Sequence, residues 1–423
     1  MNALTSETVH ALPQPSGYVS NQYRDAANRL PSLDGLRALA IGLVIFGHFG
    51  AALPGGKAWP LLVLENGSLG VSIFFCISGF LITYLLLQEA DRHGKISLSE
   101  FYFRRTLRIF PAFYLFLIVV AVVNRPLSLH ISRNEFLSAA AYVWNYSPAS
   151  HSWWLGHAWS LSVEEQFYLL WPAVLAMSGR KRAIRIASAI ILASPFIRVA
   201  NYMLIPEWRG RIPTMLHTRL DGLMVGALLA LLWNSRQSRR WITRFYRREI
   251  LLGAGFFLFV ISPGLAGRFR GAYEISVGLS LDAITIAFLI SWLVSEYSPL
   301  RRVLNTRPLV WIGTISYSLY LWQQLFAPAN KSFAGRFPWN CAALCGCACF
   351  SYFVVERPLL RWRDRVMRFR WPRQARSAEL RLRLRPKWRS RHDRINLSRP
   401  EQDADPPFGL YQSVRSTDES RSG

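Results

Sequence analysis

The sequence predicts an all-α polytopic membrane bundle of about ten helices, and three observations carry that prediction. Apolar runs of span length recur along the chain, 51% of its 423 residues are hydrophobic, and 14% are aromatic. Its net charge of +25 sits mainly between those runs and in the C-terminal tail. A soluble domain rarely combines such apolarity with such basicity, whereas a membrane protein holds its orientation by keeping Lys and Arg in short loops on one side. Nucleic acid is the other partner so basic a chain could indicate. The aromatic-rich runs argue against it, and none is expected.

Apolar length and turn residues place spans at 36–52, 69–88, 107–123, 158–177, 183–204, 216–233, 250–265, 275–294, 309–328 and 339–355. The stretch 135–146 is apolar but too short to cross, and reads as an interfacial or re-entrant piece. Alternate loops differ in basic content. One set holds Arg92, Lys95, Arg104, Arg105, Arg108, Arg180, Lys181, Arg182, Arg185, Arg236, Arg239, Arg240, Arg244, Arg247, Arg248, Arg301, Arg302 and Arg307, and the other set is poorer. That asymmetry puts the richer set in the cytoplasm, and an even number of spans then puts both termini there.

Three regions follow. Residues 1–32 form a polar cytoplasmic segment with no cleavable signal, 33–358 form the membrane domain, and 359–423 form a basic tail. The tail has too few apolar residues for a core and is expected to be disordered, held near anionic headgroups by its charge.

The first span carries two ionisable groups. Arg37 and His48 are eleven residues apart, which at about 100° per residue returns to within roughly 20° of the same direction, ~16 Å further along the axis. Both therefore face one side of one helix. Burying such groups in a span costs ~2.5–3.5 kcal/mol unless a partner or water compensates, which makes them candidate functional residues. His48 is the one histidine of eight that falls inside a span away from a loop. Its imidazole could take a proton from a hydroxyl near neutral pH, or it could simply bond a neighbouring helix.

Arg105 and Arg108, three apart at the start of the third span, are neighbours on one helix face. With Arg37 nearby they suit a phosphate-bearing ligand from the cytoplasm, since guanidinium binds phosphate oxygens bidentately. Plain positive-inside anchoring is the alternative.

In the fourth span, His157, Ser160, Glu164 and Tyr168 form one polar stripe, while Glu165 shares its rows with Leu161 and Leu169. Glu164 is therefore expected to point inward. It could orient a catalytic imidazole, accept a proton, hold an acceptor hydroxyl, or form a structural bond between helices. Asp221 beside Arg219 could be a neutralised structural pair or line a site, and Ser316 to Gln323 is a further polar stretch that could line one. Cys341, Cys345 and Cys349 recur at helical spacing with no His or acidic residue in their segment, which fits small-residue helix packing better than a metal site.

Leu33-Asp34-Gly35-Leu36-Arg37 with His48, Phe74 to Phe80, Arg104 to Pro111, Trp159 to Tyr168, Arg219 to Gly222, Tyr317 to Trp322 and Glu356 to Pro358 follow one another in order. Together they resemble the acyltransferase 3 family of integral-membrane acyltransferases, over about Pro31 to Pro358. The resemblance implies transfer of an acyl group, often acetyl, from a cytoplasmic coenzyme A thioester to a sugar hydroxyl of a cell-envelope or exported glycan. A bacterial inner membrane is the implied setting, with a carbohydrate acceptor, surrounding lipids and no permanently bound cofactor or metal.

The family's Arg-to-His spacing falls on Arg37 and His48, and its Arg-x-x-Arg element on Arg105 and Arg108. The expectation is that donor phosphates lie against the three arginines and that His48 is the general base, with an acyl-histidine as the variant. Glu164 is the second expected catalytic group, and Asp34, Trp159, Ser160, Glu165 and Tyr168 are expected to contact substrate. One departure concerns Gln323, which stands where relatives often have His after the Trp. Nothing of domain size follows Pro358, so no two-stage relay within the chain is expected. A transporter of a lipid-linked sugar or anionic solute could use the same midplane charges, and a membrane sensor could hold them as structure. The acceptor's identity has no readable code.

Overall fold

A backbone that crosses lipid must satisfy its own N–H and C=O groups, and this chain does so with helices. The computed structural model describes residues 32–49, 66–147, 152–233, 235–269, 271–327 and 338–367. Of the expected N-terminal segment 1–32 and tail 359–423, residues 1–31 and 368–423 lie outside the described residues, and 359–367, expected to be disordered, are helical. Among the described residues there is no strand, and seven helices are long and apolar enough to cross a membrane.

In chain order the helices are α1 Leu33–Phe49, α2 Gly67–His93, α3 Leu98–Asn124, α4 Arg133–Ala140, α5 Ala158–Leu204, α6 Leu216–Trp233 and α7 Arg236–Thr243. There follow α8 Arg248–Arg268, α9 Glu274–Ser295, α10 Pro299–Leu304, α11 Arg307–Thr314, α12 Ser316–Phe326 and α13 Trp339–Phe350, the last continuing through a π-helical turn, Ser351–Glu356.

Not every expected span is a long, straight rod. α1 has 17 residues. α5 has 47 residues, which in a straight line would run ~70 Å, over twice the hydrocarbon thickness. It breaks at Gly179 (φ 70°, ψ 170°), a conformation that glycine alone reaches cheaply, so the expected spans 158–177 and 183–204 lie on either side. The expected span 309–328 is interrupted: Ile315 (φ −93°, ψ 6°) separates α11 from α12. The stretch 135–146 forms the short α4, opened by a capping box between Ser132 and Glu135, and then a 3₁₀ turn, Trp144–Tyr146.

α2 and α6 form the centre, with their most apolar windows 78% and 72% buried, against 33% for α3 and 11% for α8. The outer rods turn Ile118, Val122, Leu170, Leu192, Phe196 and Leu252 outward, each more than half exposed. Lipid is the solvent that such a surface suits. At the centre, a Cβ on Gly79 would overlap the Leu223 carbonyl oxygen, and one on Gly226 that of Cys76. The two backbones therefore touch, the usual way membrane helices gain packing energy without a hydrophobic drive between them.

Polar ties fix the remaining rods. The Arg180 guanidinium donates to the Leu231 carbonyl at 2.7 and 3.1 Å, capping the last turn of α6 just past the Gly179 break. The expected Arg219–Asp221 pair does not form. Two residues apart on a helix point in nearly opposite directions, and Asp221 instead pairs with the buried Arg198 of α5 at 2.7 Å. Arg198 also donates to the Ile275 and Thr218 carbonyls and to Ser280 Oγ. Arg219 turns the other way, bonding Ser72 Oγ at 3.1 Å, with its guanidinium 5.5 Å from the Phe75 ring centre.

Candidate active site

Between α1, α2, α3, α5 and α12 lies a cavity of about 740 Å³, open mouth included. Arg37, Arg105 and Arg108 stand on its walls together with Ser78, Ser160, Glu164, Glu165 and Tyr168. The sequence expectation that the three arginines converge is met in space.

Each arginine is held differently. Arg37 reaches the cavity from the first turn of α1 and is tied to Asp34 at 3.2 Å; Asp34 itself is not on the cavity wall. Arg105 lies over the Tyr168 ring, 4.0 Å from its centre, a cation–π contact worth more away from water. Its Nε is buried without a partner. Arg108 has three like charges around it, Arg37, Arg105 and Arg363, against one carboxylate, Glu356. Glu356 in turn accepts from Ser318 Oγ, brought there by the π-helical turn that ends at it.

The break at Ile315 puts the first turn of α12 on the same wall, through Ser316 and Tyr317. A helix N-terminus presents the positive end of its dipole and favours anions. Three guanidiniums and this terminus make the basic end of the cavity suited to phosphate. Sequence periodicity misses the break because the apolar run continues through Ile315, and its one marker is Gly313 in the last turn of α11.

Glu164 accepts a hydrogen bond from Ser78 Oγ at 2.8 Å. Glu165, assigned by the helical stripe to an apolar row, also reaches the cavity. Adjacent residues differ by ~100° around a helix, and a concave wall formed by several helices can receive both. Ser160 Oγ lies 2.5 Å from the Tyr320 hydroxyl, and both line the cavity. Trp159 does not. It stands edge-on to Phe75, ring centres 6.0 Å apart, with the Arg219 guanidinium 5.9 Å from its centre. Phe75 is on the cavity wall, so Trp159 supports that wall from behind.

His48 is likewise not among the residues lining this cavity. α1 is unbroken from Leu33 to Phe49, so ~16 Å of helical rise separates His48 from Arg37. Both nevertheless face α12: Arg37 shares the cavity with Ser316 and Tyr320, and His48 meets Gln323. His48 Nδ1 is 2.9 Å from the Val44 carbonyl oxygen and 3.0 Å from Gln323 Oε1. The Val44 oxygen can only accept, so Nδ1 carries the proton in the neutral ring and Nε2 keeps its lone pair.

A second imidazole has a matching partner. The Gln324 Oε1 accepts from the His157 backbone N–H at 2.8 Å and also contacts His157 Nδ1. The His157 ring is edge-on to Tyr320, with centres 5.7 Å apart. Tyr320, on the cavity wall, is thus in ring contact with His157. Gln324 and Ser78 escape sequence reasoning, whereas Gln323 entered it as the end of a polar stretch and a departure from the family pattern. The signal for Gln324 is two amides side by side in an apolar helix. Among the described residues, no three His, Cys, Asp or Glu side chains group as a metal site.

Residues 30–356 match the sequence profile of a family described as an acyltransferase domain. The chain is 30% identical to the putative peptidoglycan O-acetyltransferase YrhL of Bacillus subtilis over 78% of this chain and 55% of that protein. It is 30% identical to the peptidoglycan O-acetyltransferase OatA of Listeria monocytogenes over 69% of this chain and 48% of that protein. It is 33% identical to the O-acetyltransferase OatA of Staphylococcus aureus over 69% of this chain and 50% of that protein. The chain spans about half the length of the curated relatives it matches. No solved structure matches it.

Proposed function

The chain belongs to the acyltransferase 3 family, and from that premise we propose that it is an integral-membrane O-acyltransferase carrying acetyl from cytoplasmic acetyl-CoA to a sugar hydroxyl of a cell-envelope glycan. The names of its relatives make peptidoglycan the first acceptor to test. The observation that carries the reading is the convergence of Arg37, Arg105 and Arg108 in one cavity within the bundle. Asp34 and Glu356 each face one of these guanidiniums and Glu164 and Glu165 share the wall, yet three guanidiniums converging on one space offer the forked donors that a polyphosphate ligand takes.

In this reading the donor's phosphates occupy the basic end of the cavity against the arginines and the first turn of α12. The pantetheine arm runs along α1 and α12, spanning the ~16 Å of helical rise between Arg37 and His48. Tyr320, hydrogen-bonded to Ser160, lines the start of that path. His48 Nε2 then takes the proton of the acceptor hydroxyl as that oxygen attacks the thioester carbonyl. The tetrahedral intermediate expels the coenzyme A thiolate, which receives the proton from the imidazolium, leaving an O-acyl ester. Thioester and ester are close enough in energy that no further energy source is needed. Glu164, fixed by Ser78, positions Arg105 and its neighbours. The bacterial sources of its relatives support a bacterial cell membrane as the setting, with donor on one side and acceptor glycan on the other.

The test uses purified protein in lipid vesicles with radiolabelled acetyl-CoA and glycan fragments. Label should appear as base-labile ester on the glycan, and His48→Ala and His48→Gln proteins that fold should lose it. If those variants transfer label at the native rate, the mechanism is wrong. If the native protein moves solute without labelling it, the enzymatic reading fails altogether.

A further inference from the structure

Trp153 opens a 3₁₀ turn, Trp153–Leu155, immediately before α5. A large apolar side chain at the head of a helix is usually packed away or spread along the lipid interface, yet this indole is 41% exposed and stands at His48. The two ring centres are 5.5 Å apart and the planes meet at 78°. In an edge-on pair His48 covers at most one face of the indole.

The turn that carries the indole is held from several sides. Ser152 N–H donates to Glu135 Oε1 at 2.5 Å, and Ser152 Oγ accepts from the Trp154 N–H. Leu155 is fully buried, and Gly156 sits so close to the Gln324 side chain that a Cβ there would press on it. Beside His48, Gln323 is fully buried and its Nε2 has no hydrogen-bond partner. An ordered indole, an imidazole with a free lone pair and an orphan amide donor therefore meet at one place.

We propose that Trp153 is the platform on which a pyranose ring of the acceptor stacks, presenting one hydroxyl to His48 Nε2. This rests on the acyltransferase reading. One face of a pyranose carries a patch of C–H bonds with partial positive charge, which complements the negative face of an indole, while its rim carries hydroxyls. Pockets that bind small polar ligands combine such an apolar wall with a few placed polar groups. The Gln323 amide supplies a donor for an oxygen next to the reacting hydroxyl. An interfacial anchoring role for Trp153 would need neither His48 nor the orphan amide.

The experiment measures initial rates with the purified full-length protein, acetyl-CoA and a soluble N-acetylhexosamine oligosaccharide, for the native chain, Trp153→Ala and Trp153→Phe. In Trp153→Ala the KM for the oligosaccharide should rise by about tenfold, with the KM for acetyl-CoA unchanged, and Trp153→Phe should recover part of the loss. An oligosaccharide KM within about twofold of native in a folded Trp153→Ala protein overturns the platform. So does an equal change in both KM values, which is what a structural anchor would give. Should Trp153→Ala fail to fold, Trp153→Phe decides: a native oligosaccharide KM then overturns it if Trp153→Leu, of similar apolarity but no π face, is native too. Absence of any transfer by the native chain would count against the acyltransferase reading itself, and is separable because it precedes any comparison of variants.

Discussion

His48 and Gln323 meet across α1 and α12, Nδ1 to Oε1 at 3.0 Å, while the same Nδ1 faces the carbonyl of Val44 at 2.9 Å. Two oxygens on one ring nitrogen fix both the tautomer and the azimuth of the imidazole, leaving Nε2 for chemistry. Gln323→Leu removes the side chain's share of that orientation but leaves the Val44 carbonyl. Acyl transfer should fall about tenfold, the effect of losing one hydrogen bond of ~1–1.5 kcal/mol. Gln323→Asn, too short to reach, should behave like Gln323→Leu. Single-turnover rates in vesicles measure both, and native rates in both would remove Gln323 from the mechanism.

Arg105→Lys should not be a conservative change. The guanidinium stacks on Tyr168 at 4.0 Å, and a lysine retains the charge without the planar fork or the same stacking. The KM for acetyl-CoA should rise about tenfold, with a smaller effect on kcat. Dephospho forms of the donor, which lack one phosphate, should lose less between native and variant than acetyl-CoA does. An unchanged donor KM would place Arg105 among anchoring charges.

Arg198 and Asp221 form a buried pair at 2.7 Å, neither side chain more than 2% exposed. Removing one partner strands the other, which typically costs ~3–5 kcal/mol. Arg198→Ala should therefore lower the melting temperature in detergent sharply, and Asp221→Asn should do so less because the amide can still accept. Arg219→Gln, which breaks no ion pair, should melt nearer to native. Equal melting of all three would contradict the pairing described above.

Gly79→Val should destabilise the bundle, because any Cβ there meets the Leu223 carbonyl and α2 must separate from α6. Overpacking of this kind costs ~1–3 kcal/mol or more. Gly255→Val on α8, where a Cβ meets nothing, is the control and should be tolerated. Thermal unfolding followed by size-exclusion chromatography distinguishes them.

The sequence by itself determined that this chain is a helical membrane bundle, that Arg37 and His48 share one face of α1, that Arg105 and Arg108 are neighbours, and that the whole resembles one enzyme family. The first three are local: they follow from apolar length and from a repeat of 3.6 residues along a single helix, whereas the resemblance rests on seven motifs that follow one another along the chain. Tertiary structure alone decided that Asp221 pairs with Arg198 rather than Arg219, that Glu165 joins Glu164 on the cavity wall, and that Trp159 stands behind it. It also decided that the ninth apolar run breaks at Ile315 and that His48 lies a layer beyond the arginine cavity, held by Gln323. The reason is geometrical. Periodicity gives the angle of a side chain about its own axis, but how each axis is rotated and raised against its neighbours depends on contacts such as Gly79 with Leu223, which join residues far apart in the chain.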